Sequence, residues 1–558
     1  IEIDIFDTQT ILCDKFFQTW TILDNLTVTT TVDFSEVFTV LDEILDCCRS
    51  TFTVLDEIEI DIFDTQTILC DKFFQTWTIL DNLIVTATTD LSEVFTVLAC
   101  ITDIPITEPT TITAPGSYCL VNDITGAGDL ITIDADRVFL NLNEKQISGG
   151  TNNIALAAGH SDIVIRNGIL DSPVDTNITM ADATNITMNN IDFIGGVTSV
   201  FIETSTSINV NNCSFRTASA SSFAAVDSDS ITLEKIQSHA NIATTGNLSI
   251  FAFTRVNNTI IDNFVTTLNS NPVSTFNGIL ATACNDIKIN NVLISNNSSL
   301  GVARYINFDT VQKGLITNVF IGNNNSISSV CDGIFLDTSN DISLTNCEVR
   351  QLSGGITASG MQYLDCTRIT TKNCTVTNIE SGNVGGFKNF SGIDILYDSC
   401  VSVSNIGLTS TSRGFQDAVL NNRPIKTIFK DCIATDNIAS TTAYGFELIS
   451  TTTGCMLNCI AKRNEGGDTG RGIYLTDCFN CIVEKNIVSG NIGATASIGL
   501  EVISPTGAPL TNLLFANQSQ DHVSNYIIIP GTILRVLYTK STAALSAIPT
   551  VLDNIDIS

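Results

Sequence analysis

Four cysteines, Cys455-x3-Cys459 followed by Cys478-x2-Cys481, stand at nearly the spacing of a four-thiolate zinc site. Two acidic pairs each have a lysine near them: Asp227 and Asp229 with Lys235, and Asp394 and Asp398 with Lys388. Carboxylates grouped in this way could hold calcium beside a basic side chain that removes a proton. The only histidines, His160, His239 and His522, have no second catalytic group near them in sequence, so each reads as an isolated surface residue. Cys47 and Cys48 cannot readily bond to each other, but in a parallel stalk they could cross-link two chains. Whether any of these groups meet depends on the elements that carry them.

Those elements are announced by a repeated phrase: an apolar residue, a second two places on, Asn at the fourth place after the first, and apolar residues again at the fifth and seventh. Ile186 to Phe193, Ile208 to Phe215, Ile287 to Ile294 and Ile342 to Val349 are examples. Thirteen anchors from Ile163 to Ile482, including Ile260 and Val401, lie 22 to 32 residues apart. Asn follows four places later in ten, among them Asn167, Asn190, Asn212, Asn318, Asn405 and Asn486. A repeat of that length is one coil of a solenoid. Alternation with period two puts the anchor and the second residue on one inward face, and the break at Asn predicts a sharp bend between strands. Asn tolerates the left-handed backbone of such a bend, and coils about 4.8 Å apart would let the amides bond to one another. The larger stabilisation is the inward stack, at roughly 1.5 to 3 kcal/mol for each buried Ile, Leu or Phe. The columns are Ile, Val, Cys and Asn rather than the Leu columns of a leucine-rich repeat, so the fold class is all-β, a parallel β-helix.

That register bears on the cysteines. Cys213, Cys347, Cys374, Cys432 and Cys459 fall at the fifth place, where other coils carry Ile191 or Val292, and read as small apolar core residues. Cys459 then points inward while Cys455 and Cys481 sit on outward phases, so no zinc site is expected, and no other metal or cofactor. Cys347 and Cys374 stack on adjacent coils, as do Cys432 and Cys459. In-register Cβ vectors disfavour a disulfide in either pair.

The segments Pro109 to Leu120, Ile131 to Leu140 and Gly159 to Gly168 resemble the opening coils of right-handed β-helix proteins of the pectin-lyase-like superfamily. More narrowly, the chain is similar to uncharacterised secreted β-helix surface proteins of intracellular bacteria, whose helix often follows Leu-Asp-rich repeats. The resemblance covers about residues 100 to 500. It implies a right-handed helix but no single activity, because the superfamily includes lyases, hydrolases, phage tailspikes and inert adhesins. The polygalacturonase-like set of Asn-Thr-Asp, paired Asp, His-Gly and Arg-x-Lys on successive coils is missing.

Net charge is −32, and residues 1–100 hold 19 of the 58 acidic residues against Lys15, Arg49 and Lys72. Such a surface repels nucleic acid, anionic lipid and polyacids. No apolar run reaches the length of a membrane span, and the chain reads as a processed, exported product at the cell surface. Residues 1–41 recur as 58–98 with four differences, at positions 27, 30, 32 and 34 of the first copy. The near-identity suggests a duplicated acidic stalk over 1–100, either a helical coiled coil or strands. Residues 101–505 form the expected helix, and 506–558, where the phrase fails, a cap or docking segment. With no Trp and few Tyr in the rod, the expectation is a non-enzymatic fibre or filament subunit that assembles with copies of itself through residues 1–100 and the solenoid ends. The alternative is a glycan-active or glycan-binding β-helix protein, which requires a cluster of acidic and aromatic side chains on one outward face.

Overall fold

The computed structural model describes residues 103–243, 246–419, 426–504, 512–515, 517–528 and 539–540. The duplicated stalk of residues 1–100, with Cys47, Cys48 and any assembly through it, lies outside the described residues. Among the described residues there is no helix; 52 strands stack coil on coil into a parallel β-solenoid. One face is a sheet of 17 strands, here called the second sheet, and a sheet of 35 strands, the first, forms the rest of the wall.

Pairing follows the sequence anchors at Ile163, Ile186, Ile208 and Ile231, then departs from them at three coils. Ile231 pairs with Thr259, not Ile260; Ile369 with Ile395, not Val401; and Ile482 pairs with Cys455, one place beyond the anchor column. Thr259 is buried and Ile260 exposed, so an apolar residue on the solvent face had masked a polar one in the core. The bend itself is as expected. Asn167, Asn190, Asn212, Asn318, Asn346, Asn373 and Asn458 have φ between 52 and 58°.

Asn405 and Asn486 belong elsewhere, which corrects the ladder. Asn405 is in a second, buried column with Asn437, Asn464 and Asn491, matched lower in the rod by Asn241, Asn269, Asn297 and Asn324. In both runs each Oδ1 accepts the backbone N–H and the side-chain Nδ2–H of the Asn one coil earlier, at 2.7–3.4 Å. A buried amide left unpaired costs about 1–3 kcal/mol, so this ladder fixes register more firmly than the exposed one. His522 ends it, its Nε2 accepting the Asn491 backbone N–H at 3.1 Å, and is therefore not an isolated surface histidine.

The fifth-place cysteines pack inward as expected, and burial pushes the Cys213 thiol up to about 12. Cys400, hidden by the misplaced Val401 anchor, joins them, giving Cys347, Cys374, Cys400, Cys432 and Cys459 on five consecutive coils, all free thiols. Asn486 continues that column, accepting the Cys459 backbone N–H at 2.8 Å. Parallel pairing also runs on past residue 505, where Leu513–Phe515, Asn517–Gln520 and Ser524–Ile528 add a further coil.

A glycine column runs through the second sheet at Gly333, Gly360, Gly386, Gly414, Gly445 and Gly472. A methyl group at Gly360 would overlap Val376 of the opposite wall, and one at Gly472 would overlap Val488. Beside it stands an aromatic stack. Phe387, Phe415 and Phe446 lie face to face at 4.7 and 4.8 Å, with Tyr397 and Phe429 edge-on to Phe415 at 5.9 and 5.7 Å.

One carboxylate lies inside the rod. Asp417 accepts from Asn389 Nδ2 at 2.6 Å, Thr451 Oγ1 at 2.8 Å and Thr427 Oγ1 at 3.1 Å, yet burial still pushes it from 3.8 up to about 6. A raised folded value means that the folded chain holds this proton more tightly than the unfolded chain. The penalty therefore acts fully above about pH 6 and is relieved as pH falls toward 3.8. Asp417→Asn is expected to stabilise the protein by up to about 3 kcal/mol at pH 8, and by progressively less below pH 6. Denaturant melts across pH check this; a pH-independent difference would contradict it.

Candidate functional site

The glycine column shapes the outer face of the second sheet. In Asn383–Phe390, Gly386 and Phe387 both point inward, so the residues on either side, Gly385 and Lys388, both point out. The same bend repeats coil after coil and sets up two outward columns. One runs Asn277, Arg304, Asp332, Ser359, Gly385, Arg413, Tyr444, Arg471. The other runs Asn307, Phe335, Gln362, Lys388, Gln416, Glu447, Tyr474, Glu501.

These outward residues carry charge in a nearly water-free setting. Asp332 is 1% exposed; Ser359 stands beside it in the next coil and Arg304 Nε lies 3.6 Å away, with its guanidinium over the Phe335 ring at 3.7 Å. Burial raises Asp332 above the usual carboxylate range, and Lys388 and Arg304 oppose the shift. Lys388, 5% exposed, lies along the Cα of Gly385, and its Nζ reaches the Ala358 carbonyl at 3.4 Å. Burial pushes it down to about 8; Asp332 pulls it up, while the positive charge of Arg413 lowers it further. A carboxyl raised and an amine lowered by burial, two coils apart on one outward face, are groups tuned away from their ordinary ranges, as catalytic acids and bases are.

The neighbouring coils are fully paired. Arg413 Nε donates to Glu447, which also accepts from Gln416 Nε2 at 2.9 Å, and Arg413 Nη1 donates to Asn383 Oδ1 at 2.9 Å. Arg471 Nε donates to Glu501 at 2.5 Å, and its guanidinium lies over Tyr444 and Tyr474 at 5.4 and 4.8 Å. The face thus has a desolvated carboxylate and a desolvated amine two coils apart, next to a rigid platform of arginine, carboxylate and tyrosine. It presents four cations, Arg304, Lys388, Arg413 and Arg471, against Asp332, Glu447 and Glu501, a balance unlike that of a chain of net charge −32.

The candidates read from sequence disperse. Asp227 binds Arg255 through two hydrogen bonds at 2.5 and 2.7 Å, Asp229 binds Asn258, and Lys235 pairs with Glu234. Asp394 pairs with Lys426 and Asp398 with Lys430, while Lys388, their supposed partner, reaches the Ala358 carbonyl instead. Cys459, Cys478 and Cys481 are buried in the core, whereas Cys455 is half-buried. His160 lies between Asp134 and Asp136, at 3.1 and 3.2 Å, and those carboxylates raise its proton affinity. No group of three or more metal-ligating side chains converges among the described residues.

The missed residues do leave a trace in the sequence. Asp332-Gly-Ile-Phe335, Gly385-Gly-Phe-Lys388, Arg413-Gly-Phe-Gln416, Tyr444-Gly-Phe-Glu447 and Arg471-Gly-Ile-Tyr474 share one pattern, a glycine and an apolar residue between two outward positions. A search for period-two alternation passes over it, because the outward residues are three apart.

Residues 332–502 match the model of the right-handed β-helix region, so the helix is right-handed. No curated protein sequence matches the chain. Solved structures that resemble it include the catalytic domain of an α-1,3-glucanase in complex with nigerose, at 9% identity and a TM-score of 0.26 over 74% of this chain and 64% of that one. The A-module of a mannuronan C-5 epimerase of Azotobacter vinelandii matches at 11% identity and a TM-score of 0.24, over 77% of this chain and 91% of that one. Tailspike protein 3 of bacteriophage CBA120 matches at 11% identity and a TM-score of 0.19, over 77% and 59%. Likenesses this remote carry nothing about particular residues here, and the chain spans less than two thirds of the glucanase domain. The expectation that the chain is not an enzyme is nevertheless corrected. It rested on the missing linear motif and the scarcity of Trp and Tyr in the rod, whereas the solved structures similar to the chain include a glucanase domain and an epimerase module.

Proposed function

We propose that this right-handed parallel β-helix acts on a glycan along the outer face of the second sheet, with Lys388 and Asp332 as the proton-transfer pair. The observation that supports the reading is the desolvation of both groups on an outward face. Burying charges in this way costs several kcal/mol even when a partner such as Arg304 stands near. Tyr444 and Tyr474, 5.5 Å apart and crossed by the Arg471 guanidinium, form with the paired arginines and glutamates a rigid polar edge against which a sugar could lie. With its proton affinity lowered to about 8, Lys388 is neutral in a useful fraction of molecules at mildly alkaline pH, as a general base must be.

The test is turnover on a panel of neutral and acidic polysaccharides, with product followed by reducing ends and by ultraviolet absorbance. Wild type is expected to gain activity as pH rises through about 8. Lys388→Arg keeps the charge but cannot give up its proton in that range, and is expected to lose about 10²- to 10⁴-fold. Full activity in that variant would rule out the assignment of Lys388.

A further inference from the structure

The exposed Asn corner of the first sheet, low on the rod, lines an open cavity of about 340 Å³ that the second-sheet site does not use. We propose that it binds one stretch of an uncharged, linear polysaccharide lying along the rod axis. Asn167, Asn190 and Asn212 form its spine, with Lys235 at the same corner position one coil on, and Ser214 and Gln237 form its outer edge. Asn190 Nδ2 donates to Asn167 Oδ1 at 3.1 Å and Asn212 Nδ2 to Asn190 Oδ1 at 3.2 Å. Each such bond consumes one of the two N–H groups of the donor amide and one of the two lone pairs of the acceptor. Asn190, bonded on both sides, still offers one donor and one acceptor, and the amides above and below it offer at least as much. The result is a row of donor–acceptor pairs repeating every 4.8 Å or so.

That row selects its ligand by chemistry. A β-1,4-linked hexopyranose chain advances by roughly one strand spacing per ring and presents at each step a hydroxyl that both donates and accepts. The acidic lining is partly neutralised, since Asp192 is held by Arg216 Nη2 at 2.9 Å and by Ser214. A polyanion gains nothing from this surface on a chain of −32, and an apolar ligand finds only Ile169 and the edge of Ile191. The amides need no reorganisation, because the left-handed corner and the ladder already hold them in place.

The full chain is titrated calorimetrically with cellohexaose, with maltohexaose and hexagalacturonate as controls. Asn190→Gly deletes the central amide while keeping a residue that takes φ 55° without strain. Gln237→Ala trims an exposed rim side chain, so at least one variant folds. Cellohexaose is expected to bind in preference to both controls, and at least tenfold more weakly to each variant, while Asp332→Asn binds as wild type does. Binding lost in Asp332→Asn but kept in the corner variants would overturn this proposal and leave the second-sheet reading standing. Absence of cellohexaose binding, or tighter binding of hexagalacturonate, would also overturn it.

Discussion

Asp332→Asn is expected to cut turnover by about 10²- to 10⁴-fold and, in the same molecule, to raise the stability of the fold. The two effects have one cause. Burial raises the Asp332 carboxyl above its ordinary range, so the folded state pays for the charged form at any pH above the raised value. The penalty is relieved as pH falls through that value, so the gain from the neutral amide is largest at alkaline pH and vanishes in acid. The substitution also weakens the favourable interactions of Asp332 with Lys388, Arg304 and Ser359, so the gain is the desolvation penalty less those contributions. Opposite signs for activity and stability separate a working group from a structural one, because removing a structural ion pair lowers both. Melting temperatures and initial rates on the same preparation provide the check. An active variant, or one that melts earlier than wild type at pH 8, would refute the role given to Asp332.

Phe415→Ala is expected to cost about 3–5 kcal/mol and to broaden or lower the unfolding transition of the whole rod. Phe415 is fully buried, stacked between Phe387 and Phe446 and met edge-on by Tyr397 and Phe429. Its loss removes one ring from both a face-to-face column and a herringbone, and neighbours tied into parallel strands on both sides cannot close the gap. Because each coil contacts only its neighbours, the weakened interface also divides the rod into two stretches that can unfold separately. Val523→Ala, at a site 80% exposed, is the control and should stay within about 0.5 kcal/mol of wild type. Urea melts of the two variants decide it, and equal midpoints would show that the aromatic stack contributes little.

The fold was legible because the Asn bend recurs as a type at a period, and the left-handed corner at Asn190 or Asn346 admits few other residues. The register was legible only in part. Where the true anchor is Thr259 or Cys481 the apolar cue slips by one, and the neighbour Ile260 or Ile482 takes its place in the reading. One slip at Val401 moved Asn405 from a buried ladder to the exposed corner and concealed Cys400. The site was not legible. Asp332 and Lys388 are 56 residues apart in the chain and two coils apart in the rod, and nothing local marks either as desolvated. Lys388 drew attention for the wrong partners, Asp394 and Asp398, which are near in sequence but paired with Lys426 and Lys430.

The glycine column also bears on how this molecule can change its length. At Gly360, Gly414 or Gly472 the two walls approach too closely for any side chain on the second sheet, so the thickness of the rod there is set by glycine backbone against Val376, Ala434 or Val488 of the opposite wall. A coil duplicated from a neighbour brings its own glycine and fits without adjustment, adding one more pair of outward positions to the face beside Asp332. Such a coil carries free choice at those two positions and none between them. The reach of the face for a longer or differently substituted chain can therefore grow by whole coils, while the core that supports it stays the same.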